Sequence, residues 1–205
     1  REIVRGLQAN CKIEKVIEAE RAVKPKRQID EMIARFVTDD RVFGYMAPFQ
    51  IEDFYDAARI EQLRAELEEV SEGIVVVIGT GASLIGQGDC LVYADLARWE
   101  IQQRYRSQEF GNWLEENYGE DILRKYKRGF FIEWRAADRL KRSVLPAAHY
   151  YLDTNLKDAP KMVSREALFD GIRQAVHRPF RLVPYFDPGV WGGTWMERNI
   201  GLEKQ

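Results

Sequence analysis

A glycine-rich turn placed directly after an aliphatic run lets backbone N–H groups cradle a phosphate, and residues 73–95, GIVVVIGTGASLIGQGDCLVYAD, contain such a turn. Gly79, Thr80 and Gly81 follow the run Ile74 to Ile78, and Ser83 adds a hydroxyl just beyond them. These four residues are candidates to hold a nucleotide or a phosphate, because ligands collect at the carboxyl ends of strands in open α/β sheets. Counted from Gly81, GASLIGQG has both glycines of the phosphate-loop pattern. Gln87, however, stands in the lysine position and Gly88 in the Ser/Thr position. No ammonium reaches a β- or γ-phosphate from there, and no hydroxyl is offered to magnesium. The dinucleotide pattern fails too, since its third glycine falls on Leu84. The alternative is a structural turn whose glycines serve positive φ.

Two other groups of residues carry chemical potential. Asp53, in Glu52-Asp53-Phe54-Tyr55, is a candidate catalytic acid, although an acid at the start of a helix is also favoured by capping and by the helix dipole. Arg124, Lys125, Lys127, Arg128, Arg135, Arg139, Lys141 and Arg142 make one segment strongly basic, with Tyr126, Phe130, Phe131 and Trp134 interleaved. That pattern either cradles phosphates or a nucleic-acid strand, or forms a solvated face whose long stems lie over packed aromatics. His149 and His177 have no triad-like setting, and no metal site can be assembled from them. Cys11 and Cys90 are too few and too isolated for a disulfide framework or a zinc site, and read as ordinary buried or half-buried thiols.

The elements that must position these groups follow from periodicity. Residues 12–36 carry helical spacing, with Ile13, Val16 and Ile17 on one face and Ile29, Met32, Ile33 and Phe36 after the Lys24-Pro25-Lys26 break, predicting a helical hairpin. Arg41 to Met46 reads as a short strand. Glu52 to Val70 reads as an amphipathic helix with Phe54, Ala58, Leu63 and Leu67 inward. The β-branched run Ile74 to Ile78 predicts a strand buried on both faces of a parallel sheet, and Cys90 to Ala94 another strand. Helices are predicted over Leu96 to Arg106 and Tyr118 to Ser143, strands over His149 to Leu152 and Phe180 to Phe186. Ser164 can cap a further helix running to about Val176. Strands alternating with helices predict an α/β fold in three layers, with a mostly parallel sheet covered on both faces.

The 205 residues suffice for one sizeable core, and 31 basic against 33 acidic residues leave a net charge of −2. That balance predicts neither a nucleic-acid coat nor a membrane patch. The longest apolar run falls far short of the roughly 20 residues that span a bilayer. With no visible signal sequence, the expectation is a cytoplasmic protein. The chain opens on Arg1 rather than methionine, as a segment of a longer protein would.

Three segments in order resemble the uridine kinase branch of the P-loop kinases: Glu52-Asp53-Phe54-Tyr55, the strand ending at Ile78-Gly79, and Leu91 to Asp95 leading into a helix with Arg98, Arg104 and Arg106. The resemblance implies a P-loop kinase type of fold, with Asp53 near a substrate hydroxyl and Arg98, Arg135 and Arg139 on phosphate oxygens. It departs where Ile78 replaces the family's Glu and where GLQANCKIEK, upstream of Asp53, lacks a phosphate loop. Phe180 to Met196, FRLVPYFDPGVWGGTWM, resembles the entry to the catalytic domain of class I mannose-6-phosphate isomerases through Trp191-Gly192-Gly193. More broadly, residues 41–196 resemble the kinase-like region ahead of an isomerase-like domain in bacterial proteins. The division implied is a kinase-like domain at 1–182, then a tail or the start of an isomerase-like domain at 183–205. The expectation is a degenerate kinase-like module binding a nucleotide or sugar phosphate. An active small-molecule kinase using ATP and magnesium, and a structural or homo-oligomerising domain without ligand, stay open.

Overall fold

A computed structural model describes residues 2–178. The expected strand at Phe180 to Phe186, the Trp191-Gly192-Gly193 motif and the segment 183–205 lie outside the described residues. In chain order the elements are α1 (Glu2–Gln8), β1 (Ile13–Glu18), a 3₁₀ turn (Ala19–Ala22), α2 (Lys26–Val37), a second 3₁₀ turn (Ile51–Phe54) and α3 (Ala57–Glu68). Then follow β2 (Ile74–Ile78), α4 (Ala82–Ile85), β3 (Val92–Asp95), α5 (Arg98–Arg106) and α6 (Ile122–Arg128). A π turn (Gly129–Glu133) leads into α7 (Trp134–Val144), β4 (Tyr150–Asp153), β5 (Lys161–Ser164) and α8 (Arg165–Val176). A first compact unit closes at Arg165, and the described part of the second, residues 166–178, is the rest of α8 and the two residues after it.

The molecule is a mixed α/β protein with small sheets. β1 pairs in parallel with β2; separately, β3 pairs in parallel with β4, and β4 antiparallel with β5. The strands expected to share one sheet thus lie in two, and β2 is half-buried with Ile74 exposed, not sealed on both faces. Residues 13–18 form a strand where a helix was expected, and a bulge explains why. Ile13 pairs with Ile74 but Lys15 pairs with Val75, so one extra residue interrupts the ladder. That insertion puts Ile13 and Val16 on one face and Ile17 on the other, turning a period of two into an apparent i, i+3 spacing.

Arg41 to Met46 is an irregular loop in place of the expected strand, because its polar groups are satisfied locally. The Asp40 carboxylate accepts from the N–H groups of Val42 and Phe43, each at 2.6 Å. Thr38 Oγ1 donates to the Phe43 carbonyl at 2.7 Å, and Tyr45 N–H to Phe36 at 2.8 Å. The predicted helix from Glu52 is interrupted at Tyr55, after which the Asp56 carboxylate caps α3 by accepting from Arg59 N–H at 3.1 Å. Ala58 faces solvent, and Ile60 with Leu63 forms the buried stripe. β5 was not anticipated from sequence.

The core gathers Ile17, Ala22, Ile29, Ile33, Phe36, Phe54, Leu63 and Ile132. Helix α2 supplies its share at i, i+4 and i+7, as a one-faced helix must. Phe49 bridges Phe36 and Phe54 edge-on, with ring centroids at 5.1 and 5.8 Å, and Phe54 meets Trp113 at 5.2 Å.

Candidate functional site

The glycine turn after β2 is closed by the protein's own groups. Gly79 at φ +110° and Gly81 at φ +86° take conformations open chiefly to glycine. Inside the turn the Glu20 carboxylate lies against Gly79 and accepts from Thr80 N–H at 3.3 Å. From the other side the Tyr55 hydroxyl donates to the Thr80 carbonyl. A Cβ on Gly81 would stand 2.7 Å from that hydroxyl oxygen. Burial, reinforced by the charge of Glu20, pushes the Tyr55 phenol upward, so it remains a donor. Ser83, in the single turn of α4, is half-buried. An anion of the protein therefore occupies the position an incoming phosphate would need.

Asp53 serves as a cap. Its carboxylate accepts from Gln50 N–H at 2.8 Å, closing the 3₁₀ turn, while its carbonyl accepts from Lys24 Nζ at 2.7 Å. Of the three predicted phosphate-binding arginines, two converge. Arg98 donates to the Asp138 carboxylate and stacks over Trp134, with its guanidinium 5.3 Å from the ring centre. Arg135 reaches the other oxygen of Asp138 at 3.5 Å and lies 5.1 Å over Phe130. Its Nε is buried without a hydrogen-bond partner among the described residues. Nearby, Lys141 pairs with Asp95 at 2.5 Å, and its ammonium sits 5.7 Å from the Tyr93 ring centre. Burial, then the charge of Asp95, pushes the Tyr93 phenol up to about 12. Asp95 and Asp153 end the parallel strands β3 and β4, so this half-exposed group of cations lies at the carboxyl ends of a parallel pair. Arg139 is engaged elsewhere: it donates to the Ala47 carbonyl, through two nitrogens at 3.2 Å each, and to Phe49 at 2.7 Å.

The basic segment is not a solvated face. Lys125, only 1% exposed, donates to the carbonyls of Tyr105 and Tyr118 at 2.7 Å each and to that of Phe110 at 3.4 Å. Burial pushes its ammonium below the usual lysine range. Lys127 is buried too and donates to the carbonyls of Thr38 and Asp40. The π turn places Glu133 in the interior, where it accepts from Arg128 Nε at 2.8 Å, Asn112 Nδ2 at 3.1 Å and Trp113 N–H at 3.3 Å. Burial pushes the Glu133 carboxyl upward, against the pull of Arg128. His149 is structural: its Nδ1 accepts from Leu91 N–H at 3.0 Å, beside the start of β3. Cys11 is half-buried, while Cys90 is exposed in place of the shielded position expected. Among the described residues no helix is long and apolar enough to cross a membrane, and no cluster of His, Cys, Asp and Glu is able to hold a metal ion.

A family model described as Domain of unknown function (DUF8485) matches residues 1–177. The chain belongs to this family. No curated protein and no solved structure matches it. The DUF8485 match spans the glycine turn and the arginine pair alike, so both are features of the family's domain in this chain. Sequence reading missed Asp138 and named Lys141 only as one cation of the basic segment, although Arg135, Asp138 and Lys141 lie three residues apart on one helix and that spacing was available. It also missed Glu20, for which no local signal exists, since Glu20 and Thr80 meet only through the β1–β2 pairing.

Proposed function

We propose that this chain is a kinase-like module without phosphotransfer of its own, which holds a phosphorylated small molecule, a nucleotide or a sugar phosphate, at the carboxyl ends of β3 and β4. The observation that carries the reading is the convergence of Arg98 and Arg135 on Asp138, beside Lys141. Guanidinium groups suit phosphate because their N–H forks match its oxygens. Asp138 holds both arginines in place and yields when a dianion arrives. The absence of phosphotransfer is supported by Glu20, which fills the glycine turn, and by Asp53, which is engaged as a cap. The kinase-type three-layer arrangement and the link to isomerase-like proteins belong to the same proposal. Both sheets contain a parallel pair, as such a fold needs, and the resemblance in residues 41–196 supplies the link.

Titration calorimetry with ATP, GTP and mannose 6-phosphate, each with and without magnesium, tests this. Binding of one of them, weakened at least tenfold in Arg98→Ala and Arg135→Ala, is the expected result. Magnesium-dependent ATP binding with turnover would instead establish an active kinase using ATP and magnesium. Heat from none of them would leave a second reading, a domain that binds other proteins or its own copies. A specific observation favours that second reading: Phe43, Tyr45 and Met46 are 69%, 68% and 52% exposed on the firmly bonded loop after α2.

A further inference from the structure

A cleft of about 620 Å³ opens between α2 on one side and α6 with the segment before it on the other, a size suited to a small ligand. One wall is the apolar strip Ile33, Ala34 and Val37 of α2. Eight charged residues line the rest, four cations and four anions, so the cleft carries no net charge. Most of them are already satisfied. Lys26 pairs with Glu115 at 2.5 Å and Asp30 at 3.0 Å, and Arg128 pairs with Glu115 at 2.9 Å. Lys127 is held on the carbonyls of Thr38 and Asp40, and Glu120 accepts from Asn117 at 2.6 Å.

Two charges are left over. Arg124 and Asp39 are exposed lining residues whose side chains make no hydrogen bond or ion pair within 4 Å among the described residues, although Arg124 is near enough to Asp121 to help hold its carboxyl low. Asp121, one turn before Arg124, is taken by Arg41 at 2.5 Å. The two leftover groups stand on different elements, Arg124 on α6 and Asp39 on the loop after α2. They also lie toward the same end, because Lys127, three residues beyond Arg124, grips the carbonyls on either side of Asp39. We infer that this cleft binds a small zwitterion, with an anionic group on Arg124, an ammonium on Asp39 and the intervening methylenes along the α2 strip. In a cleft lined by four cations and four anions a ligand of either net charge leaves one of the two unpaired groups without a partner, whereas a zwitterion adds no net charge and matches both. This site is separate from the arginines of the strand ends and stands without them.

The test uses ω-amino acids of increasing length, from β-alanine to 6-aminohexanoate, followed by NMR chemical-shift titration of the full chain. One length binds about fivefold tighter than hexanoate or hexylamine, which each lack one of the two charges, in line with one exposed ion pair lost. Arg124→Gln and Asp39→Asn each remove that preference while leaving the thermal midpoint unchanged, since both side chains are exposed and unbonded. Hexanoate or hexylamine binding as tightly as the best amino acid would overturn the proposal, as would the absence of binding at every length. Arg98→Ala leaves the titration unaltered, so failure here and failure of the strand-end site are read separately.

Discussion

The Glu20 carboxylate packs directly against Gly79, so a residue from the 3₁₀ turn after β1 closes a turn that follows β2. A methyl group at Gly79 would collide with that carboxylate, and φ +110° is strained for any L side chain. Gly79→Ala therefore destabilises the fold by about 2 kcal/mol, the range for non-glycine residues held in such backbone regions. Urea denaturation measures it. Pairing the change with Glu20→Ala removes the collision and recovers part of the loss, leaving the φ strain.

The two sheets show what was legible in sequence and what was not. The β-branched composition of Ile74 to Ile78 identified β2, and the basic helix expected over Tyr118 to Ser143 is present as α6 and α7, which start at Ile122 and are joined by the π turn. β1 was misread because a bulge imitates helical periodicity, and bulges leave no compositional mark. Of the candidate site residues, the glycine turn and the arginines were singled out by residue type alone. Their partners were not, because Glu20 and Gly79 meet through strand pairing and Ala47 and Arg139 through tertiary packing. The buried lysines were misjudged for a related reason. Lysine is almost never fully buried, and only the carbonyls of three separate positions, Tyr105 near the end of α5 and Phe110 and Tyr118 beyond it, make Lys125 an exception.

Arg139 separates structure from binding. Its three hydrogen bonds fix the passage from Ala47 to Phe49, ahead of the turn that carries Asp53. Arg139→Ala leaves those carbonyls without their charged donor and lowers stability by about 2 kcal/mol. Phosphate-ligand affinity stays within twofold of the parent when measured well below the unfolding transition. Arg98→Ala shows the reverse pattern, with the larger effect on binding.

Lys125 is a harder test of burial. Lys125→Met keeps the aliphatic stem but leaves the carbonyls of Tyr105, Phe110 and Tyr118 without their donor. Removing one side of a buried charged network costs about 3 kcal/mol. Thermal unfolding followed by circular dichroism reads this as a clear drop in midpoint. A surface change such as Arg27→Ala, in a pair whose side chains are 89% and 64% exposed, shifts it by less than about 0.5 kcal/mol.

Alkaline pH acts through the buried phenols. Tyr55, Tyr93 and Tyr105 all have raised values, each chiefly from burial, and Tyr93 titrates at about 12. In the unfolded chain a tyrosine ionises near 10. A group raised on folding contributes stability that is fully present below its unfolded value and is lost as pH rises through its folded value. The protein therefore holds constant stability from neutral pH to about pH 9 with respect to these groups, then weakens from about pH 10 to beyond pH 12. Spectrophotometric titration of the phenolates should show a late fraction that appears together with unfolding. Tyr93→Phe removes one member of that fraction and flattens the decline. A midpoint that falls equally steeply in Tyr93→Phe would assign the alkaline loss to Tyr55 and Tyr105 alone.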